Sequence, residues 1–70
     1  MSLAMVAPGE IREICDFKGK EEMKRRLKDL GFIKGQTVHV LGENQDGLIL
    51  LVKGVKIAVN KGLAQMIMVK

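Results

Sequence analysis

Gly35-Gln36-Thr37-Val38-His39-Val40-Leu41 is where the hydrophobic spacing of this chain changes, and the change decides the fold. Upstream, Met23, Leu27 and Leu30 recur at i, i+4 and i+7, the stripe of an amphipathic helix. Downstream the period is 2, with Val38 and Val40 on one side and Thr37, His39 and Leu41 on the other. Glu43 to Gly47 is a polar loop ending in glycine. Leu48 to Val52 is an apolar run that leads through Lys53-Gly54 into Val55-Lys56-Ile57-Ala58-Val59, which alternates, and the pair reads as a tight hairpin. Asn60 to Gln65 reads as one turn of α- or 3₁₀-helix opened by an N-cap asparagine. Met66 to Val69 then reads as a closing strand.

On the N-terminal side of Gly35 the helix spans Lys20 to Leu30, and Gly31 ends it by supplying the left-handed residue that closes a helix. Glu21/Arg25 and Glu22/Arg26 are i,i+4 pairs, each stabilising by ~0.2 to 0.5 kcal/mol. The acidic residues lie in the first turn and the basic ones later, as the helix dipole favours. Pro8-Gly9 marks a turn. Glu10 to Phe17 reads as a strand with Ile11, Cys15 and Phe17 on one face and Arg12 and Asp16 on the other. Ile14 breaks that alternation, which implies either two partly covered faces or a bulge near Ile14. Ser2 falls in a stretch expected to fray.

About five short strands and one inserted helix cannot stack as two large sheets. A small, partly open barrel curled around one core is the economical way to protect the strand edges. Seventy residues with no repeat and no linker make one domain, residues 1–70. A domain near this size hides only about 60% of the surface its unfolded chain exposes, so its margin of stability is thin. The single cysteine, Cys15, leaves no thiol to pair with it, and packing has to suffice. An unpaired cysteine fits a reducing cytoplasm. Met1 to Val6 is too short an apolar stretch for a secretory leader. No run approaches the roughly 20 apolar residues of a membrane-spanning helix.

The pattern holds no catalytic constellation. Cys15 with His39 is the only conceivable nucleophile and base; the plainer reading makes Cys15 a small core hydrophobe and His39 a solvated strand residue. The glycines fit no phosphate-cradling spacing. One Cys, one His and the scattered carboxylates Asp16, Glu43 and Asp46 fall short of a dedicated metal site. The count leaves room for weak binding of Fe²⁺ or another divalent transition metal, or for a site completed by a second copy or a partner. The net charge of +4 suits an acidic partner. Lys20, Lys24, Arg25, Arg26 and Lys28 cluster on the helix, but single-stranded nucleic acid is bound on aromatic stacking platforms. The chain has no Trp or Tyr and only Phe17 and Phe32, so nucleic acid is not the expected partner. Met66 and Met68 share a strand face and read as core filling or as an adaptable contact surface. Leu41 and Ala58 point outward by alternation and are candidates for a contact patch.

Ala7-Pro8-Gly9-Glu10, the helix end Arg26-Leu27-Lys28-Asp29-Leu30-Gly31-Phe32, Lys34-Gly35 before Val38-His39-Val40, Leu48 to Val52, Gly54, Ile57-Ala58-Val59 and Ala64-Gln65-Met66-Ile67-Met68-Val69, taken in this order, resemble the FeoA family of ferrous iron transport proteins. The resemblance covers nearly the whole chain. Its most specific part is the Arg-Leu-x-x-Leu-Gly-Phe helix end with the glycine turn and Val-x-Val strand that follow. Lys34 stands where the family often has proline, and Asn60 where a basic residue often follows the Ile-Ala-Val strand.

The resemblance implies a mainly β, SH3-like, partly open barrel of about five strands with one α-helix over roughly residues 20–30, a fold shared with the C-terminal domain of DtxR-type repressors. It implies a non-enzymatic cytoplasmic accessory or regulatory protein of ferrous iron transport whose partner is FeoB, a GTP-binding membrane transporter. The alternative is a transition-metal-binding regulatory domain akin to the repressor domain. The expected partner face is the helix end, Arg25, Arg26 and Leu30, with the adjoining turn, Phe32 and Lys34. A freestanding repressor is not expected, because one helix leaves no helix-turn-helix.

Overall fold

In the computed structural model, which describes residues 1–70, the change of period at Gly35 separates a helix from a continuous run of antiparallel strands. The elements are a 3₁₀ turn at Leu3–Met5, β1 (Ile11–Phe17), α1 (Glu21–Asp29), β2 (Thr37–Glu43), β3 (Gly47–Val52), β4 (Val55–Asn60), α2 (Lys61–Met66) and β5 (Ile67–Val69). The five strands form one antiparallel sheet in the order β4-β3-β2-β1-β5. Its two ends are not hydrogen-bonded to each other, so the barrel is partly open, as expected.

Val38, Val40 and Val59 are buried as their spacing predicts; Leu48–Val52, an apolar run in the sequence, takes an alternating burial, and Val55, which shares the alternation of Val59, is 59% exposed. Val38 and Val40 of β2, Leu48, Leu50 and Val52 of β3 and Val59 of β4 are buried together, with Ile67 and Val69 of β5 closing the cluster. Leu41 and Ile49 are each 37% exposed on the outer side, where Ala58 is exposed as well. The β3–β4 connection is the two-residue turn Lys53-Gly54, both with positive φ, the form that matches the twist of a hairpin. Asn60 caps α2, its side-chain oxygen accepting from the Leu63 amide at 2.8 Å. That helix runs through Met66, one residue beyond the expected end, and β5 starts at Ile67. Met66 and Met68 are half-buried, and Met66 packs against the core.

Gly47 is required for a different reason than a turn. β3 and β4 approach so closely at its position that a Cβ there would lie 1.9 Å from the Val59 carbonyl oxygen. A glycine inside a strand pattern marks such close backbone approach.

Three expectations are corrected. Ile14 is fully buried, whereas Ile11 is 59% exposed and Cys15 is exposed instead of serving as a core hydrophobe. The reason is a register shift in the β1–β5 pairing between Ile14 and Asp16, the bulge near Ile14 that the broken alternation offered as one alternative. Ile14 is further held by donating to the Gln36 carbonyl at 2.8 Å and accepting from Gly35 at 2.7 Å. The N-terminus does not fray. Leu3 and Val6 lie i, i+3 apart and are buried, Ser2 bridges Met68, and the Val69 amide donates to Met1 at 2.8 Å. This segment covers the outer edge of β5. Finally, the Glu21/Arg25 and Glu22/Arg26 pairs do not form; the one ion pair within α1 is Lys24 with Glu21 at 3.9 Å.

Candidate functional site

The C-terminal end of α1 is closed by two backbone hydrogen bonds, Gly31 N–H to the Lys28 carbonyl at 2.9 Å and Phe32 N–H to the Leu27 carbonyl at 3.1 Å. With Gly31 at φ +101°, this is the Schellman arrangement. Its accompanying contact sends Phe32 inward beside Leu27, and both side chains are fully buried. The next residue, Ile33, is thereby left facing out, 43% exposed.

Between this turn, the flank of α1 and the end of β1 lies a cleft of about 450 Å³. Its apolar surface is Ile33 and the half-buried Phe17. Around these stand Lys24, Arg25, Lys28 and Lys34, against the single carboxylate of Glu21. The cations are not equivalent. Lys34 lies 3.4 Å from Asp16 and Lys24 3.9 Å from Glu21, while Arg25 and Lys28 have no carboxylate within 4.0 Å. Asp16 is itself fixed: its carboxylate accepts from the Phe17 amide at 2.8 Å. That hydrogen bond, followed by the charge of Lys34, holds its pKa below the ordinary value. The turn before β1 is tied in the same manner, Glu10 accepting from the Ala7 amide and pairing with Arg12, so its pKa is lowered too.

The five residues expected to form a partner face are therefore divided. Arg25 and Lys34 border the cleft together. Arg26 and the 41% exposed Leu30 share the i,i+4 spacing of a different flank of α1 and do not border it. Phe32 is withdrawn into the core, so its place in that face is corrected: it anchors the turn that presents Ile33 and Lys34. Phe17, Lys24, Lys28 and Ile33 were not among the expected site residues. Their signal was present, since Glu21, Lys24, Arg25 and Lys28 recur at i, i+3, i+4 and i+7 as a second stripe beside the apolar one.

The other side chains that the sequence singled out lie apart. His39 pairs in register with Ile11, four residues from Cys15, which puts the two side chains about 13 Å apart along the strand. They cannot act as nucleophile and base. No three of the His, Cys, Asp and Glu side chains stand together as a metal ion needs, so the donors of a single chain do not fit a tight resident site. A basic rim around a small apolar floor is a binding geometry.

Comparison with known proteins agrees with this construction. The family model of the FeoA domain matches residues 1–70. A crystal structure of the iron uptake regulatory protein FeoA is similar at 30% identity and TM-score 0.93, the match covering 100% of this chain and 93% of that one. The zinc complex of FeoA from Stenotrophomonas maltophilia, a procaryotic SH3 domain protein, is similar at 23% identity and TM-score 0.74 over 100% of this chain and 89% of that one. A manganese-dependent transcriptional repressor is similar in fold at 15% identity and TM-score 0.90, with 99% of this chain covering 40% of that one. Among curated proteins none matches the chain. The barrel is thus SH3-like, and the chain belongs to the FeoA domain family of ferrous iron transport.

Proposed function

We propose that the chain is an accessory and regulatory protein of ferrous iron transport that works by binding the cytosolic part of a FeoB-type transporter, and that the cleft beside α1 is its docking face. Family membership supplies the transport context. A similar chain is an iron uptake regulatory protein, and the Stenotrophomonas maltophilia FeoA has been advanced as an activating factor of ferrous iron transport. The observation that carries the docking face is the pairing of Arg25 and Lys28, free of carboxylate partners, with the exposed Ile33 in one concave surface. Interfaces concentrate binding energy where an apolar centre is ringed by polar groups.

The whole of residues 1–70 acts as one unit in this reading. No helix is long and apolar enough to cross a membrane; in this reading the transporter supplies the membrane passage and this chain acts from its cytoplasmic side. No donor cluster favours a metal-sensing role for the chain alone. The test is binding of the chain to the transporter's cytosolic part, measured by calorimetry with the protein and with Arg25→Glu/Lys28→Glu. Loss of binding is expected for the double variant and retention for Lys56→Glu/Lys61→Glu, which carries the same charge change outside the cleft. Equal binding by both variants would remove the cleft as the docking face.

A further inference from the structure

The cleft also indicates what occupies it. We infer that it takes an acidic peptide segment with one large apolar side chain between its carboxylates, the side chain resting on Ile33 and Phe17 and the carboxylates meeting Arg25 and Lys28. This deepens the docking reading above and rests on it for the identity of the protein that carries the segment.

Four cations and one carboxylate line the cleft. Two of the cations are already occupied, Lys34 by Asp16 and Lys24 by Glu21. Arg25 and Lys28 remain, three residues apart on the helix and so neighbours on its surface. Arginine holds a carboxylate in a two-pronged fork, and lysine adds a point charge beside it. A free inorganic anion would satisfy these two side chains and leave the floor uncovered. Ile33 is 43% exposed in a turn whose geometry forbids it to turn inward, because Phe32 already fills the inward position. An apolar group brought from outside would cover it.

Nucleic acid fits less well. Its bases need exposed aromatic faces, and here the only aromatic in the cleft is Phe17, which packs against the core. The hydrogen-bonded turn after α1 fixes the backbone that carries Ile33 and Lys34, so the segment meets that wall formed in advance. Such preorganisation lowers the cost of binding.

The test uses the full chain and a fluorescent probe peptide, Asp-Glu-Phe-Glu-Asp flanked by glycine and serine, followed by anisotropy. Two control probes carry glycine in place of the phenylalanine, or lysines in place of the acids. Saturable binding of the first probe alone is expected. Arg25→Glu/Lys28→Glu weakens it more than about tenfold, as loss and reversal of two close charge contacts requires. Ile33→Ser weakens it roughly tenfold through loss of apolar burial. Lys56→Glu/Lys61→Glu leaves it unchanged. Equal binding of the glycine probe, or tighter binding of a single-stranded oligonucleotide, would overturn the inference in favour of unspecific anion attraction. If Arg25→Glu/Lys28→Glu abolishes binding to the transporter's cytosolic part while the acidic probe does not bind, the docking reading stands and this inference fails. If the probe binds in the cleft and the variant still binds that cytosolic part, this inference stands and the docking reading fails.

Discussion

The amide of Phe32 donates to the carbonyl of Leu27 at 3.1 Å, and the two side chains are buried against one another's surroundings in the same core cluster. This single closure joins the helix to the sheet. It ends α1, fixes the direction in which the chain leaves it, and decides that Phe32 goes in while Ile33 and Lys34 go out. The cleft exists because of that choice.

Gly31 makes the closure possible by holding φ at +101° with open space around it. Gly31→Ala meets no steric contact, so its effect is that of the backbone alone, a destabilisation of about 1 kcal/mol. Gly31→Asn should cost less, because asparagine tolerates the left-handed region. Urea unfolding of the three proteins checks the order, with the midpoint shifting and the slope constant.

Gly47 gives the opposite case, a glycine needed for space. A Cβ at 1.9 Å from the Val59 oxygen forces β3 and β4 apart, since the obstacle is backbone and cannot rotate away. Gly47→Ala should destabilise by about 3 kcal/mol, the upper part of the range for overpacking. The two glycines thus differ in magnitude and in mechanism, and amide exchange separates them. Gly47→Ala raises exchange along the β3–β4 ladder, Gly31→Ala at the end of α1.

Gln36 has both side-chain amide atoms buried with no hydrogen-bond partner. A buried polar group without a partner is destabilising, and replacing it by an apolar side chain of similar length removes the penalty. Gln36→Met should therefore stabilise by about 1 kcal/mol, read as a higher midpoint of thermal or urea unfolding. A clear loss of stability would show that the amide is satisfied in solution.

Asp16 and Glu10 carry the acid response. Both pKa values are lowered in the folded chain, Asp16 first by the Phe17 amide and then by Lys34, Glu10 first by the Ala7 amide and then by Arg12. A depressed folded value means that the contribution is complete above the ordinary carboxylate values of 3.8 and 4.5 and is lost as pH falls through the lower folded ones. Stability should be flat in these two groups from neutrality down to mild acid and fall below it. Asp16→Asn should flatten that acid limb when unfolding is followed against pH, and salt should shrink the share owed to Lys34.

How far the sequence carries is visible in particular residues. Val38 and Val40 alternate with Thr37, His39 and Leu41 and are buried as their positions imply, because a strand with one covered face allows no other register, whereas the apolar run Leu48–Val52 did not itself mark which of its residues face inward. Gly31 before Phe32 identifies the helix end from two residues. Ile14 was ambiguous, since its burial depends on a register shift against β5, which lies more than fifty residues along the chain. Leu3 and Val6 carry too short a pattern to show that the N-terminus seals an edge. At the site, Arg25 and Lys34 were legible as exposed cations. Arg26 is set apart from Arg25 by the helix period itself, one residue on and about 100° around the axis, so that separation was legible in the order of residues as well. The exposure of Ile33 was implied by the closing motif once Phe32 was assigned to the core.

The central claim is that this chain supports ferrous iron transport through the cleft beside α1. The most direct measurement is uptake of labelled Fe²⁺ by cells that lack this chain and retain the transporter, with the chain restored in native form, as Arg25→Glu/Lys28→Glu, and as Lys56→Glu/Lys61→Glu, at matched protein levels. Reduced uptake is expected without the chain, recovery with the native form and with Lys56→Glu/Lys61→Glu, and no recovery with Arg25→Glu/Lys28→Glu. Uptake that is unaffected by loss of the chain, or recovery with all three forms, would contradict that claim.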